Sequence, residues 1–420
     1  MAPSGSNRIN EEILLVEDQR SVAMPFAKAL HDRWGCKVLI ATTLDQVRQI
    51  VAQKERRFAL AISDLVLPDA PNGEVIDVLV AAGFPTIAMT GAFDENMHDP
   101  LMKKGVIDYV LKKSINSYEY LVRLVGRLHR NASIKVLVVD DDKNIRDLLK
   151  LMLSRQRLQV MTARDGKEAL QLLEHHPDIR VMLVDYAMPV QSGVELVAAV
   201  RNKYSMDELA VIGISVQNTP LLATKFLKVG ANDFIAKPIH YDELVCRISS
   251  ALDMQESIAA VRYTAYYDYL TGLPNRRAFF EQGGKLHDGA AKEGRQLAVV
   301  MMDIDHFKKI NDSYGHHGGD AALQHFSRFL AQDFGEDLVG RLGGEEFALI
   351  VGGELARERC EAFRDRIEKT PARFGDKLIP LTVSIGLTYV PAENLDATIK
   401  RADQSLYRAK SEGRNRVVAS

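Results

Sequence analysis

Cysteine and tryptophan are scarce in this sequence, which has three cysteines and one tryptophan among 420 residues. Cys36, Cys246 and Cys360 lie far apart and form no CxxC pair. This spacing disfavours a disulfide framework or a structural zinc site, and it favours free, buried thiols.

An excess of charge and long apolar runs are also missing. The formal net charge of -2 gives no general attraction to nucleic acid or to an anionic membrane surface. No apolar run reaches the about 18 residues of a membrane span, and the N-terminus lacks the apolar segment of a signal peptide. We therefore expect a soluble cytoplasmic protein with no nucleic-acid or membrane partner, in which residues 1–11 form a disordered lead-in.

What the sequence does contain is an internal repeat, with four segments that recur in the same order about 120 residues later. The first set is ILLVEDQ (13–19), ALAISDLVLP (59–68), TIAMTGA (86–92) and GVIDYVLKK (105–113). The second set is VLVVDDD (136–142), VMLVDYAMP (181–189), VIGISVQ (211–217) and GANDFIAKP (230–238). The order predicts two copies of one domain, at residues 12–130 and 134–252.

Each copy alternates short Val/Ile/Leu runs with amphipathic stretches. This pattern predicts parallel strands that are buried on both faces and connected by helices, which is a doubly wound α/β fold. In such a sheet, ligands bind beyond the carboxyl ends of the strands. The polar residues that recur in the two copies lie at these ends.

The recurring polar residues are of the same types in both copies. They are Glu17, Asp18, Asp64, Thr90 and Lys112 in the first copy, and Asp140, Asp141, Asp185, Ser215 and Lys237 in the second. Three converging carboxylates repel one another, so a hard divalent cation, Mg²⁺, is expected between them. The hydroxyl and the lysine are suited to hold a phosphoryl group on the central aspartate. A single strand-end aspartate is equally well explained as a helix cap, but the full set, present twice, is not.

These copies resemble bacterial receiver domains, which have a flavodoxin-like, CheY-like fold. The resemblance implies that Asp64 and Asp185 are phosphoacceptors and that a sensor histidine kinase or phosphotransfer protein is a partner. It also implies that Thr90, Lys112, Ser215 and Lys237 stabilise the phosphoryl group. The second copy has the family's Lys-Pro pair, whereas the first has Lys-Lys and a loop one residue longer after Asp64. Neither difference removes a reacting group.

The segment 253–267 has neither glycine nor proline, and its apolar residues recur at three- to four-residue steps. This pattern predicts a linker helix that continues from the second copy and forms a stalk able to pair with a partner. A solvated linker helix is the alternative.

Residues 268–420 do not contain a further copy of the repeat and form a separate predicted domain. Strands are predicted at 297–302, 338–342, 347–351 and 381–389, with helices between and after them, as in an α+β domain with a largely antiparallel sheet. Asp303 follows the first strand. Gly343 and Gly344 supply the positive φ angles of a tight hairpin, which brings Glu345 and Glu346 to face Asp303. Paired acids on two elements suit a two-metal site for phosphoryl or nucleotidyl transfer.

Lys410 and Arg414 lie four residues apart near the C-terminus. If the predicted helix reaches that far, both side chains point the same way and can hold phosphates. A solvated helix face is the alternative.

The motifs GGEEF, DIDHFKKIND and DYLTGLPNRR together resemble the GGDEF family of diguanylate cyclases, whose domain is nucleotidyl cyclase-like. The layout with two receivers resembles PleD-like response regulators. The resemblance implies that the substrate is GTP, that Mg²⁺ is the cofactor and that the product is cyclic di-GMP. It implies a homodimer as well, because each domain holds one GTP and two must face each other. Receivers that dimerise when phosphorylated would bring the two half-sites together.

The same resemblance implies a role for each motif residue. Asp303 and Glu345, with the Ile304 carbonyl, hold metal ions, and Glu346 assists the 3′-hydroxyl. Asn311 and Asp320 read the guanine edge, and the turn at Gly343 and Gly344 lines the substrate. The triphosphate is held by Lys308, Lys410 and Arg414.

At one position the sequence differs from the family members that are inhibited by their product. These relatives have an Arg-x-x-Asp pair ahead of the GGEEF motif, and here Asp337 is present but Phe334 replaces the arginine. A phenyl ring cannot make a bidentate guanidinium contact, so the sequence predicts that product inhibition at this position is lost.

Two other functions fit the sequence less well. A degenerate cyclase domain that senses GTP or cyclic di-GMP, or serves as a scaffold, is disfavoured because Asp303, Glu345 and Lys410 are all present. Transcription control requires a helix-turn-helix or a basic face after the receivers, and the sequence has neither.

Overall fold

The computed structural model describes residues 8–53, 55–91, 95–112, 115–216, 220–293, 295–353, 355–389 and 394–420. The chain divides into two units, Ser4–Ile258 and Ala259–Ser420. The first unit contains both repeats, and the second contains the C-terminal domain.

The first repeat forms a five-stranded parallel sheet with the strand order β2-β1-β3-β4-β5. Apolar clusters cover both faces of this sheet, because most of its strand residues are Val, Ile, Leu or Ala. Its elements are β1 (Glu12–Val16), α1 (Arg20–Trp34), β2 (Lys37–Ala41), α2 (Leu44–Ala52), β3 (Phe58–Asp64), α3 (Glu74–Ala81), β4 (Thr86–Thr90), α4 (Glu95–Lys104), β5 (Asp108–Leu111) and α5 (Ile115–Asn131).

The second repeat has the same topology, with the order β10-β9-β8-β6-β7 read from the opposite edge. Its strands also pair in parallel and are covered on both faces, which confirms the predicted doubly wound arrangement. Its elements are β6 (Lys135–Val139), α6 (Lys143–Arg155), β7 (Gln159–Ala163), α7 (Gly166–His175), β8 (Ile179–Asp185), α8 (Gly193–Arg201), β9 (Ala210–Ser215), α9 (Pro220–Lys228), β10 (Asp233–Ala236) and α10 (Tyr241–Tyr266).

Helix α10 confirms the predicted linker helix up to Tyr266. It also contacts the first repeat. The hydroxyl of Tyr241 donates to the Ile107 carbonyl at 3.0 Å, and the buried guanidinium of Arg127 on α5 pairs with Asp253 and Glu256 on α10. The two repeats are therefore joined by polar contacts that include the helix leading out of the second.

The C-terminal domain has a five-stranded sheet of order β12-β13-β11-β16-β17, antiparallel except for the β16–β17 pair. A separate hairpin is formed by β14 and β15. Its elements are α11 (Arg276–Glu293), β11 (Leu297–Ile304), α12 (Phe307–Asp333), β12 (Leu338–Gly343), β13 (Glu346–Gly352), α13 (Ala356–Lys369), β14 (Ala372–Phe374), β15 (Lys377–Ile379), β16 (Val383–Tyr389), α14 (Leu395–Ser411) and β17 (Val417–Ala419). The predicted α+β class is confirmed, while β14, β15 and β17 were not predicted because each has only three residues.

Two predictions made from composition are wrong in part. Ile9 is buried and its N–H donates to the Trp34 carbonyl at 2.8 Å, so the predicted disordered lead-in does not extend to it; residues 1–7 lie outside the described ones. Cys36 and Cys360 are buried as expected, but Cys246 is exposed because it lies on the outer side of α10. Among the described residues, no helix combines the length and apolar character needed to span a membrane.

Candidate active site

The end of β11 and the hairpin of β12 and β13 bring the predicted acids together. In the antiparallel register Asp303 lies opposite Glu346, and the Ile304 N–H donates to the Glu345 carbonyl at 3.4 Å. Gly343 and Gly344 have φ angles of 149° and 53°, so the predicted role of both glycines in the turn is confirmed. A Cβ at either glycine would meet no atom within 4 Å, and the space beside the turn is therefore open to a ligand.

Asp303 is 7% exposed, and its Oδ2 lies 2.7 Å from the Nζ of Lys410. Burial raises the pKa of Asp303, Lys410 opposes this effect, and the charges of Glu345 and Glu346 raise the pKa further. A buried carboxylate that is repelled by two neighbouring carboxylates is stabilised by a cation beside it. Metal-binding sites share this electrostatic property.

Helix α14 can bring Lys410 to Asp303 because it lies directly on β16. At Gly386 in β16, a Cβ would approach the Leu406 nitrogen to 2.1 Å and the Ala402 carbonyl oxygen to 2.3 Å. Only glycine permits this close approach of helix and strand.

For Arg414 the predicted position on the same helix face as Lys410 is wrong. Helix α14 ends at Ser411, and Gly413, Arg414 and Asn415 all have positive φ angles of 118°, 62° and 46°. The chain therefore reverses after α14, and Arg414 follows Lys410 around a turn rather than along a helix face.

The residues assigned to the guanine base lie on α12, which is interrupted at Gly315. Asn311 precedes the interruption and Asp320 follows it. The Oδ1 of Asn311 is so near Gly319 that a Cβ there would come within 2.0 Å of it. The segment that carries Asp320 thus returns alongside Asn311, whereas Lys308 lies exposed in the first turn of α12.

Phe334 is 1% exposed and packs on Phe363, with ring centroids 5.6 Å apart. The guanidinium of Arg359 lies 4.8 Å from the Phe334 ring and donates to Asp337 at 2.7 Å. Asp337 also accepts the Gly352 N–H at 3.0 Å. Asp337 is therefore already paired within the domain.

Sequence reasoning missed a support for the hairpin. Arg341 donates to the Gly344 carbonyl at 3.0 and 2.7 Å and to Asp268 at 2.8 Å. Burial raises the pKa of Asp268, but hydrogen bonds from Thr271 and Arg341 outweigh burial and hold that pKa below its usual value. The sequence feature that could have indicated this support is the position of Arg341, two residues before the paired glycines on the strand that leads into the turn.

The first repeat brings its predicted residues to one edge of the sheet. Carboxylate oxygens of Glu17, Asp18 and Asp64 lie within 4.8 Å of one another. The Nζ of Lys112 lies 2.5 Å from both Glu17 and Asp64, and Thr90 is buried at the end of β4. Burial raises the pKa of Glu17 against the effect of Lys112.

In the second repeat the lysine and the hydroxyl take the same places. The Nζ of Lys237 lies 2.9 Å from Asp140 and 2.7 Å from Asp185, and Ser215 is buried at the end of β9. Burial raises the pKa of Asp140 here as well, while Asp141 is exposed. The three clustered carboxylates of the first repeat are hard oxygen donors that fit a magnesium ion.

Two segments of the chain match models of known protein families. Residues 265–416 match the family model described as diguanylate cyclase, GGDEF domain, and residues 136–249 match the response regulator receiver domain. A solved structure named as a probable two-component system response regulator/GGDEF domain protein is 40% identical, with a TM-score of 0.54. The match covers 100% of that structure and 59% of this chain. This chain belongs to the response regulators that carry a GGDEF domain.

Curated relatives of this GGDEF response regulator include two bacterial proteins. The response regulator PleD of Caulobacter vibrioides is 30% identical over 314 residues, which is 68% of this chain and 65% of PleD. The diguanylate cyclase VdcA of Vibrio cholerae is 38% identical over 173 residues, 39% of this chain and 50% of VdcA. The chain thus spans no more than about two thirds of either relative. The receiver match falls on the second repeat, and the first shares its strand order.

Proposed function

We propose that this chain is a diguanylate cyclase controlled by phosphorylation, and that it joins two GTP molecules into cyclic di-GMP with release of two pyrophosphates. The observation that carries the proposal is the pairing of Lys410 with Asp303 opposite the Glu345–Glu346 turn. This edge of the sheet offers carboxylates for metal ions and a cation for phosphates beside open space.

Asp303 and Glu345, with the Ile304 carbonyl, are the residues that would hold Mg²⁺. When bound, this ion neutralises the charge of the triphosphate and of the displaced pyrophosphate. Lys308, Lys410 and Arg414 bind the phosphate oxygens, and Asn311 with Asp320 orients guanine through its donors and acceptors.

In the reaction, the 3′-oxygen of one GTP forms a bond to the α-phosphorus of the other. The bond from that phosphorus to the β-phosphate oxygen breaks, and pyrophosphate leaves. Glu346, exposed at the end of the hairpin, is the group we assign to accept the hydroxyl proton. Because one domain holds one GTP, the site is completed by a second copy of the chain, and proximity of the two nucleotides supplies much of the rate.

Both repeats are proposed to act as receivers, with Asp64 and Asp185 phosphorylated by a histidine kinase or a phosphotransfer protein. The case for the first repeat is its strand order and its set of acids, hydroxyl and lysine, which match those of the second. Contacts of Arg127 with α10 give the first repeat a direct connection to the helix that leaves the second.

The proposal is tested by incubating the full chain with GTP and Mg²⁺, with and without beryllofluoride as a phosphoryl mimic. Nucleotide chromatography is expected to show cyclic di-GMP and a higher yield with beryllofluoride. GTP that binds but is not consumed would instead identify an inactive domain that senses nucleotide.

Activation by beryllofluoride should depend on the two phosphoacceptors. We expect Asp185→Asn to weaken the response and the Asp64→Asn, Asp185→Asn double variant to remove it, because an amide cannot take up the phosphoryl mimic. Initial rates with and without beryllofluoride measure the response, and Asp178→Asn on the same unit's surface is the control. A double variant that still responds fully contradicts control through these residues.

Arg341→Ala is expected to lower the rate at saturating GTP by about tenfold, the loss of about one charge-assisted hydrogen bond. The substitution leaves the Gly344 carbonyl and Asp268 without their shared donor, so the hairpin is held less firmly. Asp268→Asn keeps an acceptor for Arg341 and should lose less. Equal rates for wild type and Arg341→Ala would show that the hairpin needs no such support.

A further inference from the structure

Asp305, two residues after Asp303, is a buried carboxylate that the proposed reaction does not use. It is 4% exposed. Its Oδ1 accepts from Ser384 at 2.6 Å, and its Oδ2 accepts from Thr382 at 2.8 Å and from the backbone N–H of Asn415 at 3.0 Å. Among the described residues, its partners are thus two hydroxyls and one peptide group.

The contact with Asn415 lies in the turn that follows α14. Arg414 and Asn415 are not glycines, yet both have positive φ angles, a conformation that must be held by surrounding contacts. The Arg414 N–H donates to the Ala409 carbonyl at 3.0 Å, and the Asn415 side chain accepts from Arg364 at 2.9 Å. Asp305 adds the anchor that ties this turn to the end of β11.

We infer that Asp305 is a positioning residue that holds the turn at 412–416 and thereby sets where Arg414 presents its guanidinium. Since α14 stops at Ser411, Arg414 is placed relative to Lys410 by the turn, which contacts with the Ala409 carbonyl of α14 and with Asp305 hold in position. The expected effect of this positioning, on binding of the GTP triphosphate, rests on the proposed function.

The role of Asp305 can be separated from that of a metal ligand by its amide. In Asp305→Asn, the amide oxygen can accept from both Thr382 and Asn415, while the amide nitrogen donates to a rotated Ser384 hydroxyl. All three contacts are then kept without the negative charge. A positioning role therefore survives Asp305→Asn, whereas the metal-ligand role assigned to Asp303 is lost in Asp303→Asn.

The experiment compares steady-state kinetics and hydrogen–deuterium exchange of the full chain. We expect Asp305→Ala to raise the KM for GTP at least about tenfold while kcat falls less than about threefold, because binding of the triphosphate is what the turn supports. Asp305→Asn should stay within about threefold of wild type in both constants. Thr382→Val is the control, since it removes a different hydrogen bond from the same carboxylate oxygen and leaves the Asn415 contact in place.

Two further measurements make the test specific. In an Arg414→Ala background, Asp305→Ala should have little further effect on KM, because both changes remove the same interaction. Amides at 413–417 should exchange faster in Asp305→Ala and remain protected in Asp305→Asn.

The outcomes distinguish this inference from the proposed function. If wild type makes no cyclic di-GMP, the proposed function fails, and the exchange pattern at 413–417 still decides whether Asp305 anchors the turn. The inference is overturned if Asp305→Asn loses activity as fully as Asp303→Asn, or if Asp305→Ala changes neither KM nor exchange. Should Asp305→Ala fail to fold, the comparison of the two asparagine variants decides alone.

Discussion

Glu345→Gln is expected to abolish cyclic di-GMP synthesis, with a loss of at least about a hundredfold. The amide keeps the shape of the side chain but lacks the charge that a hard cation requires. The fold should persist, because Glu345 lies at a hairpin turn and its charge acts against that of Asp303. Removing one of two repelling carboxylates does not destabilise the folded domain.

The rate of cyclic di-GMP formation at saturating GTP and Mg²⁺ measures this effect, and circular dichroism checks the fold. Glu336→Gln is the matched control, since Glu336 is an exposed acid of the same domain outside the site. Activity of Glu345→Gln within about threefold of wild type would show that Glu345 is not a metal ligand.

Phe334→Arg is expected to destabilise the GGDEF domain by about 3 kcal/mol or more rather than to restore a product site. The aromatic ring is buried against Phe363, so the new guanidinium would lose its hydration in the core. It would also face Arg359, which already pairs with Asp337 and lies over the ring. The substitution thus buries a second cation beside Arg359, and Asp337 is already paired with Arg359.

Hydrogen–deuterium exchange of α12 and α13 should report this destabilisation locally. The single tryptophan, Trp34, lies in the first repeat, so the substitution should not shift the midpoint of its fluorescence change on heating, which serves as an internal control. Phe334→Leu keeps an apolar side chain and should cost only about 1 kcal/mol. A stable Phe334→Arg protein that cyclic di-GMP inhibits tightly would contradict this interpretation.

The sequence was sufficient for features that depend on local pattern. The repeated Val/Ile/Leu runs predicted two parallel sheets because strands buried on both faces must be apolar throughout. Asp303 and the GGEEF turn were predicted to meet because a tight hairpin with two glycines leaves few alternatives. Their roles in catalysis stay predictions, since they rest on resemblance and on chemistry that the experiments above test.

The features that the sequence did not predict depend on contacts between distant segments. Arg341 meets Asp268 across 73 positions, and Asp305 meets Asn415 across 110. No local periodicity encodes such pairs. The end of α14 at Ser411 was missed for a related reason, because the turn after it contacts Asp305, which follows β11 and lies far away in the sequence.

By itself, therefore, the sequence determined the repeated α/β architecture, the α+β domain and the types of acid and base gathered at each strand end. Only the tertiary structure decided that Asp337 is already paired, that Phe334 is buried and that Arg414 follows a turn. The physical reason is that strand and helix patterns arise from side chains spaced two to four residues apart, whereas ion pairs and burial arise between elements. Those longer contacts exist only after the sheet and its helices have packed together.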